Sequence, residues 1–149
     1  MKVSVQVAIK GSKEAVWRVI TDIGNAAENI SGIERVEILE QPQEGLIGLK
    51  WRETRTLFGK TATEVMWITG AEAVSYYETR AESHGAVYVT RLSLSEKSEG
   101  CLLILDFTGK AQTLGAKIMS FIFGPMFDNA TRKALQQDLQ DIKTVVERK

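Results

Sequence analysis

Residues 47–69 read IGLKWRETRTLFGKTATEVMWIT, a stretch that indicates two antiparallel strands joined by a tight turn. Its side chains alternate in character, as in strands that bury one face and expose the other. A two-residue turn at Gly59-Lys60 would set the register of the pair. The predicted cross-strand partners are Phe58 with Thr61, Arg55 with Glu64, Glu53 with Met66, and Trp51 with Ile68.

The two faces of this hairpin differ in polarity. The more apolar face carries Leu49, Trp51, Glu53, Arg55, Leu57, Glu64, Met66 and Ile68. The other face carries Lys50, Arg52, Thr54, Thr56, Thr61, Thr63, Val65 and Trp67. Because a strand buries one face against the core, we expect the first face to be the concave, inward face of a sheet.

Turn-forming residues divide the rest of the chain into similar segments. Val3–Ile9 alternates as a strand with one buried face, and Ser12 is placed to cap the short helix that follows it. One irregular helical turn is expected between Gly24 and Gly32. The remaining strands are predicted near Ile33–Leu39, Ile47–Phe58, Thr61–Thr69, Ser75–Glu82, Ala86–Ser95 and Leu102–Ala111, which makes seven in all.

From Leu114 onward the sequence predicts one long helix. Its second half has an apolar stripe at helical spacing, formed by Leu135, Leu139, Ile142 and Val146. Pro125 lacks an amide donor, so a kink is expected near Gly124-Pro125. We therefore expect an α+β protein in which this helix packs on a curved antiparallel sheet.

The segment Ile118–Phe127 is apolar on all sides of the predicted helix rather than along one stripe. One explanation is that the sheet edge, the small helices and nearby loops cover this segment on several sides. The alternatives are a cavity lid, a dimer contact and a surface touching a membrane. Lys117 is not part of any Lys/Arg-rich polar face, which argues against the membrane. We favour a lid and cavity wall.

Composition limits the possible functions. The chain has 149 residues, 44% apolar and 26% charged, which fits one globular domain over residues 1–149. The 19 basic residues balance 19 acidic ones, so nothing favours a nucleic-acid partner. With a single cysteine, Cys101, and a single histidine, His84, no structural zinc site or other cofactor is expected. No leader or membrane-spanning run is found, so a cytoplasmic protein without stable membrane insertion is expected.

Three stretches resemble the SRPBCC superfamily of START-like, birch-pollen-allergen-like and polyketide cyclase-like proteins. They are Ser12-Lys13-Glu14-Ala15-Val16-Trp17 with Thr21-Asp22, Gly48-Leu49-Lys50-Trp51-Arg52-Glu53-Thr54-Arg55 with Phe58-Gly59, and Gly124-Pro125-Met126-Phe127. The resemblance implies the helix-grip fold, a seven-stranded curved antiparallel sheet around a long C-terminal helix with two small helices between strands 1 and 2. It also implies a hydrophobic ligand between sheet and helix, but no catalytic residue.

The charged residues Glu53, Arg55 and Glu64 form the main candidate cluster, with Arg55 expected to bridge the two carboxylates. Such a cluster either fixes strand register as an ion pair or anchors the polar group of an apolar ligand. The expected ligand-binding set is completed by Trp51, Met66, Tyr77, Tyr88, Phe107, Ile118, Phe121, Ile122 and Met126. The alternative for Tyr77 and Tyr88 is that they are ordinary core residues.

Three functions remain open at this point. The first is a carrier or sensor for a small hydrophobic or lipid-like ligand, acting as a monomer or weak homodimer. The second is an enzyme of the cyclase or hydratase kind that uses Glu53, Glu64 or Tyr77. The third is a module that regulates a partner protein through Ile118–Phe127.

Two further residues are not expected to take part in the function. His84 is expected in a solvated hairpin turn far from the interior, and Cys101 is assigned a structural role.

Overall fold

The computed structural model describes residues 1–57 and 59–148, with side chains described for all of these except residues 57 and 119–127. The strands are β1 (Lys2–Ile9), β2 (Ile33–Glu40), β3 (Lys50–Leu57), β4 (Lys60–Glu72), β5 (Tyr76–Ser83), β6 (Ala86–Lys97) and β7 (Gly100–Ala111). The helices are α1 (Lys13–Thr21), α2 (Ala26–Asn29) and α3 (Leu114–Glu147), with a 3-10 turn at Ile23–Asn25.

The seven strands form one antiparallel sheet in the order β1-β7-β6-β5-β4-β3-β2. Its concave face holds the buried core, in which Val3, Leu103 and Leu139 are 0% exposed. The stripe on α3 reaches that core, since Leu139, Ile142 and Val146 are all buried there. The helix-grip fold, with its curved seven-stranded sheet and long C-terminal helix, is therefore confirmed.

The edge of β1 is covered by side chains of α3. Arg132, Gln136 and Lys143 donate hydrogen bonds to the backbone carbonyls of Ser4, Gln6 and Ala8 at 2.9, 3.2 and 2.7 Å. An edge strand otherwise presents unpaired backbone groups to any passing strand. These contacts fix the C-terminal half of α3 along the sheet edge and leave space between α3 and the middle strands.

The structure corrects the register of the central hairpin. Leu57 pairs with Lys60, and Gly59 has a φ of 76°, so the turn lies one residue earlier than predicted. Glycine takes this left-handed conformation without steric cost. The observed pairs are Trp51 with Met66, Glu53 with Glu64, and Arg55 with Ala62, rather than those predicted. The two-residue shift in pairing keeps every described side chain of the hairpin on its predicted face.

The start of β3 is also later than predicted. Leu49 donates its amide to Leu46 at 3.0 Å, and Gly48 has a φ of 97°, so residues 46–49 turn instead of extending. Ile47 lies in this turn and is 57% exposed. The regular strand begins at Lys50, although the turn keeps two backbone hydrogen bonds to β4: Gly48 donates to Ile68 and Ile68 donates to Leu49, both at 2.9 Å.

The backbone at Gly124-Pro125 is part of α3, but the side chains there lie outside the described set, so the kink stays a prediction. The predicted partner residue Phe58 lies outside the described residues. The interpretation of Ile118–Phe127 as a lid, a dimer contact or a partner surface also rests mainly on side chains outside that set. Within the described part of the chain, no helix combines the length and the apolar character needed to span a membrane.

Candidate functional site

A cavity of about 930 Å³ lies between the concave face of the sheet and α3. Aliphatic side chains of α1, α2 and the 3-10 turn, including Val19, Ile23 and Ile30, close one side of it. Small residues of α3, among them Ala130 and Ala134, form the opposite wall. This volume falls within the range of pockets that hold small molecules.

The floor of the cavity follows a row of paired residues that crosses five strands, and every member of the row except Ala81 lines the cavity. The row runs Trp51, Met66, Ala81, Tyr88 and Gly109. A Cβ at Gly109 would lie 3.1 Å from two ring atoms of Tyr88, so glycine leaves room for that ring on the floor. The Tyr88 ring also stacks on Phe107, with 5.7 Å between the ring centres.

A charged cluster lies in the wall of this largely apolar space. The Arg55 Nε donates to Glu53 Oε2 at 2.6 Å. Its Nη1 and Nη2 donate to Oδ1 and Oδ2 of Asp138 on α3 at 3.2 and 2.7 Å. The Trp51 indole nitrogen completes the cluster by donating to Glu53 Oε1 at 3.3 Å. Arg55 thus joins two carboxylates, one from each wall of the cavity.

Burial and charge act in opposite directions on this cluster. Burial alone lowers the pKa of Arg55, but the charges and hydrogen bonds of Asp138 and Glu53 outweigh it and raise that pKa. Burial raises the pKa of Asp138, while Arg55 opposes the shift through its charge and hydrogen bonds. The bidentate geometry favours the ionised form of the pair. One cation and two carboxylates leave the cluster with a net negative charge.

The prediction that Arg55 bridges Glu53 and Glu64 is half right. Arg55 binds Glu53, but its other partner is Asp138, and Ala62 occupies the position opposite it. Glu64 instead lies directly across from Glu53 and makes no hydrogen bond or ion pair with any residue that the structure describes. Burial, followed by the charge of Glu53, raises the pKa of Glu64.

Sequence reasoning missed Asp138. It lies three residues after Leu135 and four before Ile142, on the stripe of α3 that faces the sheet, and its side chain is only 8% exposed. Residues at these spacings share one helix face. A carboxylate on an otherwise apolar stripe is the signal that would have indicated a buried partner, and Arg55 is that partner.

Tyr77 is a core residue on the wall rather than a reactive group. Its hydroxyl donates to the backbone carbonyl of Ile20 at 3.0 Å, and its ring meets Trp17 edge to face with 6.2 Å between the ring centres. Burial, with a smaller effect of Glu53, raises the pKa of this hydroxyl. The Ile20 contact therefore engages the proton that an acid catalyst would have to donate.

His84 is placed differently from the prediction. It does sit in the turn between β5 and β6, with a φ of 50°, but it lines the cavity. Its charge lowers the pKa of Glu64, so the two groups interact electrostatically. Burial and the charge of Glu64 raise the pKa of Tyr88. The turn reaches the cavity because the sheet curves, a feature that linear spacing does not encode.

Most residues of the predicted ligand-binding set line the cavity. The lining includes Trp51, Glu53, Arg55, Glu64, Met66, Tyr77, Tyr88 and Phe107. Ile118 is the exception, because it is 51% exposed and lies outside the lining. It stands two residues from the lining residue Ala116, and two residues of a helix are about 200° apart around its axis. Phe121, Ile122 and Met126 lie outside the described side chains.

Other reactive groups offer little to this site. Cys101 is buried at 1% exposure, and burial raises its pKa, which disfavours the nucleophilic thiolate. Among the side chains that the structure describes, no three His, Cys, Asp or Glu residues are grouped closely enough to hold a metal ion. The described arrangement can bind an apolar body and offer carboxylate oxygens to a polar group.

Comparison with known proteins covers nearly the whole chain. The family described as polyketide cyclase / dehydrase and lipid transport matches residues 1–147. No curated protein compared with the chain matches it in sequence.

Solved structures show the same fold at low sequence identity. A START superfamily protein from Mycobacterium smegmatis has a TM-score of 0.82 at 16% identity, covering 99% of this chain and 97% of that one. The Zhui aromatase/cyclase from Streptomyces sp. R1128 has a TM-score of 0.79 at 17% identity, covering 99% and 94%. A protein from Thermus thermophilus has a TM-score of 0.82 at 15% identity, covering 99% and 98%.

Proposed function

The chain belongs to the polyketide cyclase / dehydrase and lipid transport family, and we propose that it binds a small, largely hydrophobic molecule in its cavity. The cavity of about 930 Å³ is the observation that carries this proposal. A well-packed core leaves few voids larger than a water molecule, so a space of this size has to be explained by what fills it. A carrier or sensor role needs no further chemistry.

The polar side chains of the cavity support a ligand with one polar end. The row from Trp51 to Gly109 provides an apolar and aromatic floor, while Glu53, Arg55, Glu64 and Asp138 lie to one side of it. Small-molecule sites commonly combine such apolar walls with a few polar groups that fix orientation. A rigid ring system or an acyl chain with one polar substituent fits this distribution.

Two measurements test the binding function. Native mass spectrometry of freshly purified protein should detect a co-purifying molecule, and calorimetric titration should show saturable binding of 2-naphthylmethanol. Ala134→Phe places a large ring in the cavity wall and should abolish binding. Lys133→Phe introduces the same ring at an exposed position of α3 and should leave binding intact. Equal binding in both variants would place the ligand elsewhere and overturn the proposal.

Glu64 favours a second candidate function, proton transfer of the cyclase or dehydratase kind. Of the three groups considered from the sequence, Glu53 is bound to Arg55 and Tyr77 to Ile20. Glu64 lines the cavity without a partner among the described residues, and burial raises its pKa towards the range useful for acid–base catalysis.

A simple ketone separates this reaction from binding alone. If Glu64 acts as a base, 2-acetonaphthone in heavy water should exchange its methyl protons for deuterium faster with the protein than without it. Glu64→Gln should abolish that acceleration and retain binding of the ketone. The absence of any acceleration while the ketone is bound would leave the carrier function as the better account.

A further inference from the structure

Carboxylates outnumber cationic side chains among the described residues that line the cavity. Within the described lining there are four carboxylates, those of Glu53, Glu64, Asp128 and Asp138, and one guanidinium, that of Arg55. The guanidinium of Arg55 already donates three hydrogen bonds, one to Glu53 and two to Asp138. Two other cations border the cavity. Lys110 is exposed and alternates away from the neighbouring lining residues Gly109 and Ala111, and the Met1 ammonium donates to the backbone carbonyl of Gly109 at 3.0 Å.

Two of the carboxylates have no donor among the residues that the structure describes. The Oδ1 of Asp128 is buried and makes no hydrogen bond there. Glu64 likewise makes none, although it lies directly opposite the negative Glu53. Glu64 is half-buried, and an acceptor that loses water without gaining a donor costs free energy that a bound donor recovers. The charges of His84 and Arg55 lower the pKa of Glu64 and so oppose the effects of burial and of Glu53.

We infer that the ligand's polar end is a hydrogen-bond donor, preferably a protonated amine, and that it binds at Glu64. This inference rests on the proposed binding function and adds the chemical class of the ligand. A protonated amine supplies a hydrogen-bond donor to Glu64. Its positive charge also offsets the net negative charge of the cluster around Arg55. A carboxylic acid would bring a further negative charge beside Glu53 and Glu64, where desolvation makes repulsion costly.

A matched set of three molecules tests this order. We use 2-naphthylmethylamine, 2-naphthylmethanol and 2-naphthoate, which share one bicyclic body and differ in the polar end. Calorimetric titration at neutral pH should show the amine binding about tenfold or more tightly than the carboxylate, with the alcohol between them. In Glu64→Gln the amine should lose most of its advantage, while the alcohol should bind as before.

Glu82→Gln serves as the control, because Glu82 is an exposed carboxylate on the opposite face of β5. It should keep the native order of affinities. If the carboxylate binds as tightly as the amine, the inference is wrong and the binding function stands. If the amine keeps its advantage in Glu64→Gln, the placement at Glu64 is wrong. If none of the three molecules binds, the proposed function itself fails.

Discussion

Arg55 on β3 and Asp138 on α3 form a bidentate pair, with N–O distances of 3.2 and 2.7 Å, although 83 positions separate them in the chain. The pair spans from the sheet to the helix beside the cavity. Its side chains are 23% and 8% exposed, so solvent screens it little. The pair therefore links the sheet to the helix and contributes to the charge beside the cavity.

We expect Asp138→Asn to lower the free energy of unfolding by about 2–3 kcal/mol, because hydrogen bonds to charged groups in buried positions are among the stronger ones. Urea unfolding measures this change. Glu37→Gln is the matched control, since it breaks an ion pair with Arg52 in which the side chains are 57% and 42% exposed. The control should cost less than about 1 kcal/mol. Equal costs would show that the Asp138 pair is no stronger than a surface pair.

Arg55→Met should cost more, about 3–5 kcal/mol at neutral pH, because it leaves two carboxylates near each other without their cation. Asp138 would keep the burial and the repulsion from Glu53 that raise its pKa, and lose the opposing effect of Arg55. A raised folded-state pKa destabilises the fold as pH rises through it. The deficit against the native chain should therefore shrink on acidification, and a deficit independent of pH would contradict this account.

Glu64→Gln should stabilise the protein at neutral pH. Because burial raises the folded-state pKa of Glu64 above its ordinary value of 4.5, the native state binds that proton more tightly than the unfolded chain. The contribution of Glu64 to stability is then greatest below that ordinary value and falls as pH rises through the raised one. Thermal unfolding from acid to neutral pH should show the advantage of the variant growing with pH. The charges that act on Glu64 are those of Glu53, His84 and Arg55.

Tyr77→Phe should lower the free energy of unfolding by about 1 kcal/mol, because it removes one buried hydrogen bond to the Ile20 carbonyl. Affinity for the naphthyl ligands should stay the same, since the hydroxyl is directed to the backbone. Denaturant unfolding and calorimetry report the two quantities separately. A large loss of affinity with little change in stability would give this hydroxyl a role in binding after all.

Local patterns carried much of the fold. Alternation along residues 47–69 identified the inward face even though the turn was placed one residue late, because a two-residue shift preserves the side of every side chain. The stripe from Leu135 to Val146 likewise identified the helix face that meets the core. Resemblance over nearly the whole chain supplied the connection between these parts.

The candidate site was accessible only in part. Glu53 and Arg55 were singled out because two charges on an apolar face are costly without partners. Asp138, the third charged member of their cluster, is far away in sequence. Nothing in local spacing indicates which strand a helix residue will contact. His84 lines the cavity for a similar reason, since the curvature of the sheet brings its turn there.

The sequence by itself determined the order of strands and helices and which side chains face inward, because side-chain periodicity depends only on neighbours along the chain. Tertiary structure decided the pairing of Arg55 with Asp138 and left Glu64 without a partner among the described residues. It also created the cavity of about 930 Å³ between α3 and the sheet. These features depend on curvature and on contacts between distant residues. The charge balance of the cavity follows from them, and so does the kind of ligand that we infer.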